Sequence, residues 1–393
     1  MAKELAYVLI DPYTIRKSRT GGVINRLLSW GRLNLVAARM LAPSRKLVEE
    51  CAEEVLCRPL KNQNEKKIFE EIRKYLFTNC LPRKNGFLPR KNGFPPRVML
   101  LLFEGEDAIE EVKQVVGHIT KVSVGETIRG TYGDYVEEDG KITYFEPAVF
   151  IGTDKEEIKK ELRVWAGYSE RDGGLLKGII PYPKGINLER TLVLIKPDSF
   201  QELSSRVGNI IDRFSQTGLF IIGARVVQIG IEQAKEFYGP IKARLAEKMK
   251  SKLIKEIRAS LENSLDFDLP QGIEEKIAEE LKVPKAEHEF NKIIKFITGR
   301  DPEKATEEER KKEGSEKCLA LVYEGENAIQ KIRKVLGETN PEDAAPGTVR
   351  KDFGYNVIKN GAHASDSVSS AEREMRIIQI EKDDIARIVK KYY

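Results

Sequence analysis

The chain has 393 residues, 40% hydrophobic and 33% charged, which at a typical ~150 residues per domain is material for two or three cores. Lys plus Arg exceed Asp plus Glu by 67 − 62 = 5, a small surplus compared with the clustered basic excess of proteins that coat nucleic acid. Four cysteines (Cys51, Cys57, Cys80, Cys318) without a CxxC pair, and only three histidines, speak against a disulfide framework and against zinc-ligand spacing.

The opening stretch MAKELAYVLIDPYT has no long apolar run behind a basic segment, so it does not read as a signal peptide. No run approaches the ~18 apolar residues needed to span a bilayer. A soluble protein of a reducing compartment, the cytoplasm, is expected.

Residues 6–14, AYVLIDPYT, read as a buried strand, and GGVINRLLSWGRLNLVAARML (21–41) as a helix followed by a second strand. LPRKNGFLPRKNGFPPR (81–97) repeats a seven-residue unit whose Pro and Gly content predicts an extended loop. Contact of its basic and Phe residues with RNA or anionic lipid is the less favoured reading. RVMLLLFEGEDAIEEVKQVVG (97–117) is a strand followed by a helix, and GETIRGTYGDY and EEIKKEL come later.

From residue 190 the same order returns. RTLVLIKPDSF answers AYVLIDPYT, VGNIIDRFSQTGLFIIGARVV answers 21–41, and Ala38-Arg39 pairs with Ala224-Arg225. FNKIIKFI pairs with FEEIRKYL, KCLALVYEGENAIQKIRKVLG with 97–117, PGTVRKDFGYN with GETIRGTYGDY, and SAEREM with EEIKKEL. Colinear matches at this many places mark a tandem duplication, with domains expected over residues 1–180 and 186–393. Each copy reads strand–helix–strand, strand–helix–strand, an α+β fold with an antiparallel sheet and helices on one face. Gly337 is the expected C-cap of ENAIQKIRKVL.

The second copy carries more. Residues 241–289 form an insert in which Leu245, Met249, Leu253, Ile257 and Leu261 recur at helical spacing. This is an amphipathic helix expected to pack on its own domain, with a lid or subunit contact as the alternative. Residues 298–317 are charge-dense and read as a solvated loop or frayed helix.

Polar information concentrates in residues 337–375. His363 lies in NGAHASDS beside Asn360, Ser365 and Asp366, and Glu374 follows on a predicted helix. A histidine with a carboxylate able to return to it suits a nucleophile or general base. Arg333, Arg350 and Lys196 supply cations and Thr339 a hydroxyl, which is what a phosphoryl group needs during transfer. No GxxxxGK[ST] occurs, so this is not a P-loop enzyme.

The pieces ERTLVLIKPD, GENAIQKIRKVLGETNPEDAAPGTVRKDFG and NGAHASDSVSSAERE resemble the nucleoside diphosphate kinase family over nearly the whole second copy apart from its inserts. The resemblance implies a ferredoxin-like βαββαβ fold in each copy. It also implies a ping-pong transfer of γ-phosphate from a nucleoside triphosphate to a nucleoside diphosphate, with Mg²⁺ carried on the nucleotide phosphates. His363 is then the phosphate acceptor, Glu374 its hydrogen-bond partner and Ser365 its neighbour. Lys196, Tyr238, Arg333, Thr339, Arg350 and Asn360 are phosphate and ribose contacts. Where the family carries a Phe pair for base stacking, this chain reads Glu289-Phe290, with Ile293 at the second apolar contact, which leaves Phe290 or the insert to clamp the base. HASDS stands for the usual HGSDS, and Lys359 replaces an Arg.

The first copy lacks the set. Asp11 stands for Lys196, Cys51 for Tyr238, Lys113 for Arg333, and Phe150 or Ile151 for His363, while Arg129 is kept and Glu161 sits opposite Glu374. His118 falls near the position of Glu338. This copy is expected to be catalytically dead. Its expected use is as half of an intramolecular pseudo-dimer, three chains mimicking the family's hexamer. A protein-histidine phosphotransferase and a non-catalytic nucleotide-binding scaffold are the competing functional readings.

Overall fold

The computed structural model describes residues 3–56, 63–81, 96–120, 125–200 and 203–393. The body of the LPRKNGF repeat (82–95) and Cys57 lie outside the described residues. Packing divides the chain into two units, one of Met1–Val226, Leu319–Met375 and Gln379–Tyr393, the other of Val227–Cys318 with Arg376–Ile378.

The first unit holds two four-stranded sheets. The first copy contributes β1 (Glu4–Ile10), β2 (Asn34–Leu41), β3 (Val98–Gly105), the pair β4 (Asp134–Glu138) and β5 (Lys141–Glu146), and β6 (Val149–Phe150). The second contributes β7 (Leu188–Ile195), β8 (Phe220–Val227), β9 (Cys318–Glu326) and β10 (Ala362–Ala364). The sheet orders are β2-β3-β1-β6 and β10-β7-β9-β8. In both, the last strand lies beside the first, the first beside the third and the third beside the second, which is the expected ferredoxin-like arrangement. β1 pairs antiparallel with β3 and β6, and β7 with β9 and β10. Leu5–Ile10 and Thr191–Ile195 are wholly buried, which is why these strands read as continuous apolar runs instead of alternating.

Helices Thr20–Trp30 and Arg206–Ser215 lead from first to second strand, and Ala108–Val116 and Ala328–Leu336 follow the third. Gly337 ends the last of these at φ 84°, as the sequence predicts. The hairpin β4–β5 was not anticipated and belongs to the first copy alone. Its turn residues Asp139 and Gly140 have φ of 49° and 72°, so the Asp-Gly pair was the legible signal for a two-residue hairpin.

The copies pack on each other through corresponding elements. Helices Thr20–Trp30 and Arg206–Ser215 touch backbone to backbone: a Cβ on Gly21 would lie 2.4 Å from the Gly208 carbonyl oxygen, and one on Gly208 would lie 2.3 Å from that of Gly21. Asn25 Nδ2 donates to Asn209 Oδ1 at 2.9 Å. The tail of each copy crosses to the other. After helix Lys155–Asp172 the chain runs along the second copy, where Leu176 N–H donates to Ile222 O at 2.8 Å and the Tyr182 hydroxyl to Glu324 O at 3.2 Å. The C-terminus returns to the first copy, where the Tyr393 hydroxyl donates to Leu5 O at 2.7 Å and Arg39 Nη1 to Lys382 O at 2.9 Å. Arg225, the repeat of Arg39, pairs with Asp384 at 2.7 Å.

Backbone contact this close leaves no room to repack. Gly208→Val is expected to destabilise the chain by about 3 kcal/mol, read as a lower midpoint in urea that does not depend on protein concentration. An unchanged midpoint would contradict this interface.

The second unit is built on helices Ile231–Leu265 and Ile273–Thr298. Leu253 of the predicted amphipathic stripe is buried. Ion pairs stitch the two helices, among them Arg258–Glu274 and Lys250–Glu279, both 2.6 Å. Lys250–Glu279 is exposed on both sides and adds little stability, whereas Glu274 is buried. Within residues 298–317 a short helix, Glu307–Lys311, is closed by a capping box between Thr306 and Glu309. Among the described residues no helix is long and apolar enough to cross a membrane.

Candidate functional site

β7 delivers Lys196 at its end, and the following Pro197-Asp198 turn grips the segment entering the opposite strand. Lys196 N–H donates to Gly361 O at 2.9 Å, and Asp198 Oδ2 accepts Gly361 N–H at 3.0 Å. Gly361 has φ 78°, a backbone state that costs a side chain dearly and a glycine little. The chain thereby turns from Asn360 into β10, whose central residue, His363, lies opposite Leu194. The flanking Ala362 and Ala364 are buried, while the His363 side chain keeps 15% of its surface exposed.

Glu374 projects from helix Val368–Ile377 and is buried. Its Oε2 lies 2.9 Å from His363 Nε2 and accepts the Ser365 hydroxyl at 2.7 Å, while Oε1 faces Arg373 Nη2 at 3.4 Å. A carboxylate on Nε2 favours the tautomer that carries its proton there, which leaves the lone pair on Nδ1.

A second linked set stands in the same copy. Lys196, 7% exposed, donates Nζ–H to Asn360 Oδ1 at 2.7 Å and to Ile358 O at 3.0 Å. Asn360 donates Nδ2–H to the carbonyls of Thr339 at 2.9 Å and Val357 at 3.2 Å. Arg350 Nη1 donates to Gly337 O at 3.0 Å and to Thr339 Oγ1 at 3.4 Å. Arg333 is exposed in the last turn of its helix and has no hydrogen-bond or ion-pair partner among the described residues. Arg333, Thr339, Arg350 and Asp366 line one open cleft of about 810 Å³.

Tyr238 and Phe290 belong to the helical unit. Tyr238 is buried against Phe237, with ring centroids 4.9 Å apart. Phe290 is only 4% exposed and has the Lys242 ammonium 5.7 Å from its ring centre, so it offers little face for a base to stack on. Asp198 and Gly361 were not singled out in the sequence. Their contact spans 163 residues, and the KPD and NG pieces were legible only as separate motifs.

Strand register shows what the first copy puts in these places. Leu9 of β1 faces Phe150 as Leu194 of β7 faces His363, so Phe150, not Ile151, holds the histidine's position. Glu161 accepts the Tyr7 hydroxyl at 2.5 Å instead of meeting a histidine. Arg129 repeats Arg350, donating Nη1–H to Gly117 O at 2.9 Å. Asp11, at the place of Lys196, is fully buried and accepts Thr14 N–H at 2.7 Å. The Tyr75 hydroxyl bridges Asp11 at 3.0 Å and Glu146 at 2.7 Å. It has one proton to share between two carboxyl groups. Burial pushes Asp11 from 3.8 to about 6, and burial together with Asp11 pushes Glu146 from 4.5 to about 7.

The raised pKa of Asp11 makes the fold bind a proton that the unfolded chain releases. This contribution is complete below the unfolded value of 3.8 and is lost as pH rises through about 6. Asp11→Asn keeps the cap acceptor and needs no proton. It is expected to raise the melting temperature at pH 8 and to narrow the difference between pH 8 and pH 5. Melts showing no gain at pH 8 would contradict this reading.

A family model described as nucleoside diphosphate kinase matches residues 189–260 and 304–383, both within the second copy. The nucleoside diphosphate kinase of Staphylococcus epidermidis is 30% identical over 194 residues, covering 48% of this chain and 87% of the relative. That of Halalkalibacterium halodurans is 32% identical over 190 residues, covering 48% and 88%. A crystal structure of an NDP kinase from Pyrobaculum aerophilum aligns with 48% of this chain and 94% of its own at 29% identity, with a TM-score of 0.34. By its identity to the Staphylococcus epidermidis and Halalkalibacterium halodurans enzymes over most of their length, the chain belongs to the nucleoside diphosphate kinase family.

Proposed function

We propose that the second copy moves the γ-phosphate of a nucleoside triphosphate to a nucleoside diphosphate through a phosphohistidine at His363. The observation that carries this reading is Glu374 holding His363 Nε2 at 2.9 Å while Ser365 holds the same carboxylate oxygen. Nδ1 attacks the γ-phosphorus. The N–P bond forms as the P–O bond to the β-phosphate breaks, and the electron pair leaves on the diphosphate oxygen. The imidazole becomes cationic, and the buried Glu374 carboxylate stabilises that charge through Nε2–H. A terminal oxygen of the incoming diphosphate then attacks the phosphohistidine, which restores neutral His363.

Arg333 and Arg350 are assigned to the phosphate oxygens, where forked donors suit equatorial geometry. Lys196 is a point charge held by Asn360, and Thr339 positions Arg350. Tyr238 is assigned as a nucleotide contact on the family resemblance alone. Among the described residues no cluster of three or more His, Cys, Asp or Glu is placed to hold a metal ion. Arg333, Lys334 and Arg350, which line the cleft, suit nucleotide phosphates, and a Mg²⁺ would be held by those phosphates, where it would offset their charge. Three buried free thiols, Cys51, Cys80 and Cys318, suit a cytoplasmic setting.

The first copy, with Phe150 and Asp11 in place of nucleophile and cation, is assigned no turnover. The paired copies support an intramolecular pseudo-dimer, and three chains would complete a six-domain assembly. A stable monomeric mass in solution would remove the trimer.

Glu289, paired with Lys285 at 3.1 Å and Lys292 at 2.9 Å, stands where the family stacks a base. It is the feature that favours a protein-histidine phosphotransferase instead. Formation of GTP from ATP and GDP separates the two: turnover on the second timescale supports the nucleotide kinase. Phosphorylation of His363 without GTP formation would favour the protein acceptor.

A further inference from the structure

The first copy encloses a cavity of about 270 Å³, lined from β1, β6 and the helices Gln63–Tyr75 and Lys155–Asp172. It lies where the second copy keeps its chemistry: Phe150 is on its wall at the register of His363, and Arg129 is there as the repeat of Arg350. The chemistry of the walls is different. Leu9, Ile72, Phe150 and Trp165 make them apolar.

Arg129 is a cation short of a counter-charge. Its guanidinium donates to Gly117 O at 2.9 Å and Val149 O at 3.1 Å. Its Nε is buried without a hydrogen-bond partner, and no carboxylate pairs with it among the described residues. Burial draws its pKa down from 12.5 to about 10. A nearby anion would reverse that cost. Of the other basic groups on the wall, Lys113 is paired with Glu110 at 2.7 Å and His118 Nδ1 accepts Thr120 N–H at 3.2 Å.

A nucleoside diphosphate suits this cavity poorly. Asp11 replaces the lysine and Phe150 the histidine, so several phosphate charges would meet neither the cation nor the nucleophile that the second copy offers. A single negative charge on an apolar body matches what is present. A space of this size, near the lower end of ligand pockets, admits on the order of ten non-hydrogen atoms.

We propose that the first copy is a binding site for a small apolar monocarboxylate, whose body lies against Ile72, Phe150 and Trp165 and whose carboxylate pairs with Arg129. The site does not depend on turnover in the second copy. Its ligand could be an acyl or an aromatic acid, and the test includes both.

The full chain is titrated calorimetrically with decanoate and with indole-3-acetate, in the presence of Mg-ADP to fill the second copy's cleft. One saturable equivalent per chain is expected for at least one acid. The alcohol of the same skeleton should bind at least about tenfold more weakly, since the charge-assisted hydrogen bond is lost. Ile72→Trp fills the cavity and is expected to abolish binding while phosphate uptake at His363 stays unchanged. Arg129→Gln should weaken binding about tenfold. Because Arg129 also supports two carbonyls, Ile72→Trp decides the matter if the glutamine variant fails to fold. No saturable binding of either acid at millimolar concentration would overturn the proposal. So would equal affinity for acid and alcohol, or binding that survives Ile72→Trp.

Discussion

Replacing His363 with alanine is expected to lower nucleoside triphosphate formation by at least about 10⁴-fold, because the covalent route loses the atom that accepts the phosphoryl group. Ser365 and Asp366 do not replace it. Ser365 is fully buried with its hydroxyl committed to Glu374, and a carboxylate at Asp366 repels the incoming phosphate. The fold should survive the change. His363 lies in a three-residue edge strand whose pairing with β7 is made by backbone, and its buried neighbours are Ala362 and Ala364. The expected result is therefore loss of turnover with an unchanged melting temperature, measured by the ATP–GDP exchange and a thermal melt on one preparation. Residual exchange within tenfold of the parent would remove His363 from the mechanism.

The next largest effect is expected at Glu374. Glutamine preserves its volume and can accept from Nε2–H, so the ring keeps its orientation, but the charge that offsets the imidazolium is gone. Groups that support a reacting residue in this way typically carry about 10- to 100-fold. The upper end is expected here because the carboxylate is buried and one oxygen, Oε2, serves both His363 and Ser365. The loss should fall on kcat, with KM for the nucleotide little changed, since Glu374 is not assigned to the phosphates. Ser365→Ala should cost less, as it removes only one donor to that oxygen. A purely structural Glu374 would show the reverse: a lower melting temperature and normal kcat in the folded fraction.

The sequence carried this copy of the site because its information is local. LVLIKPD is a strand with a cation at its end, and NGAHASDS followed by Glu374 places nucleophile and partner within a dozen residues. Three strands of each sheet were legible for a related reason: buried on both faces, they leave unbroken apolar runs, and the repeat showed each of them twice. Contacts between distant residues were not legible. Nothing near Asp198 announces that it holds the Gly361 backbone, or near Tyr75 that it bridges Asp11 and Glu146.

Two further features of the fold were not read from the sequence. The insert, read as residues 241–289 between two separate pieces of the copy, is continuous with its flanks, since helix Ile231–Leu265 runs through Pro240 and Ile273–Thr298 through Pro284. The β4–β5 hairpin was overlooked because most of its residues are exposed and give no apolar run, although its Asp-Gly turn was in plain view. Between Phe150 and Ile151 the sequence could not choose, as both are apolar neighbours. Strand register with Leu9 was needed to decide.

The central claim is one working site per chain, in the second copy, acting through a phosphohistidine. Its most direct measurement is the amount of acid-labile phosphate taken up from γ-labelled ATP with Mg²⁺, followed by a chase with unlabelled nucleoside diphosphate. One phosphate per chain, absent in His363→Ala and released as nucleoside triphosphate on the chase, is the predicted result. Two phosphates per chain, or label that persists in His363→Ala, would contradict it.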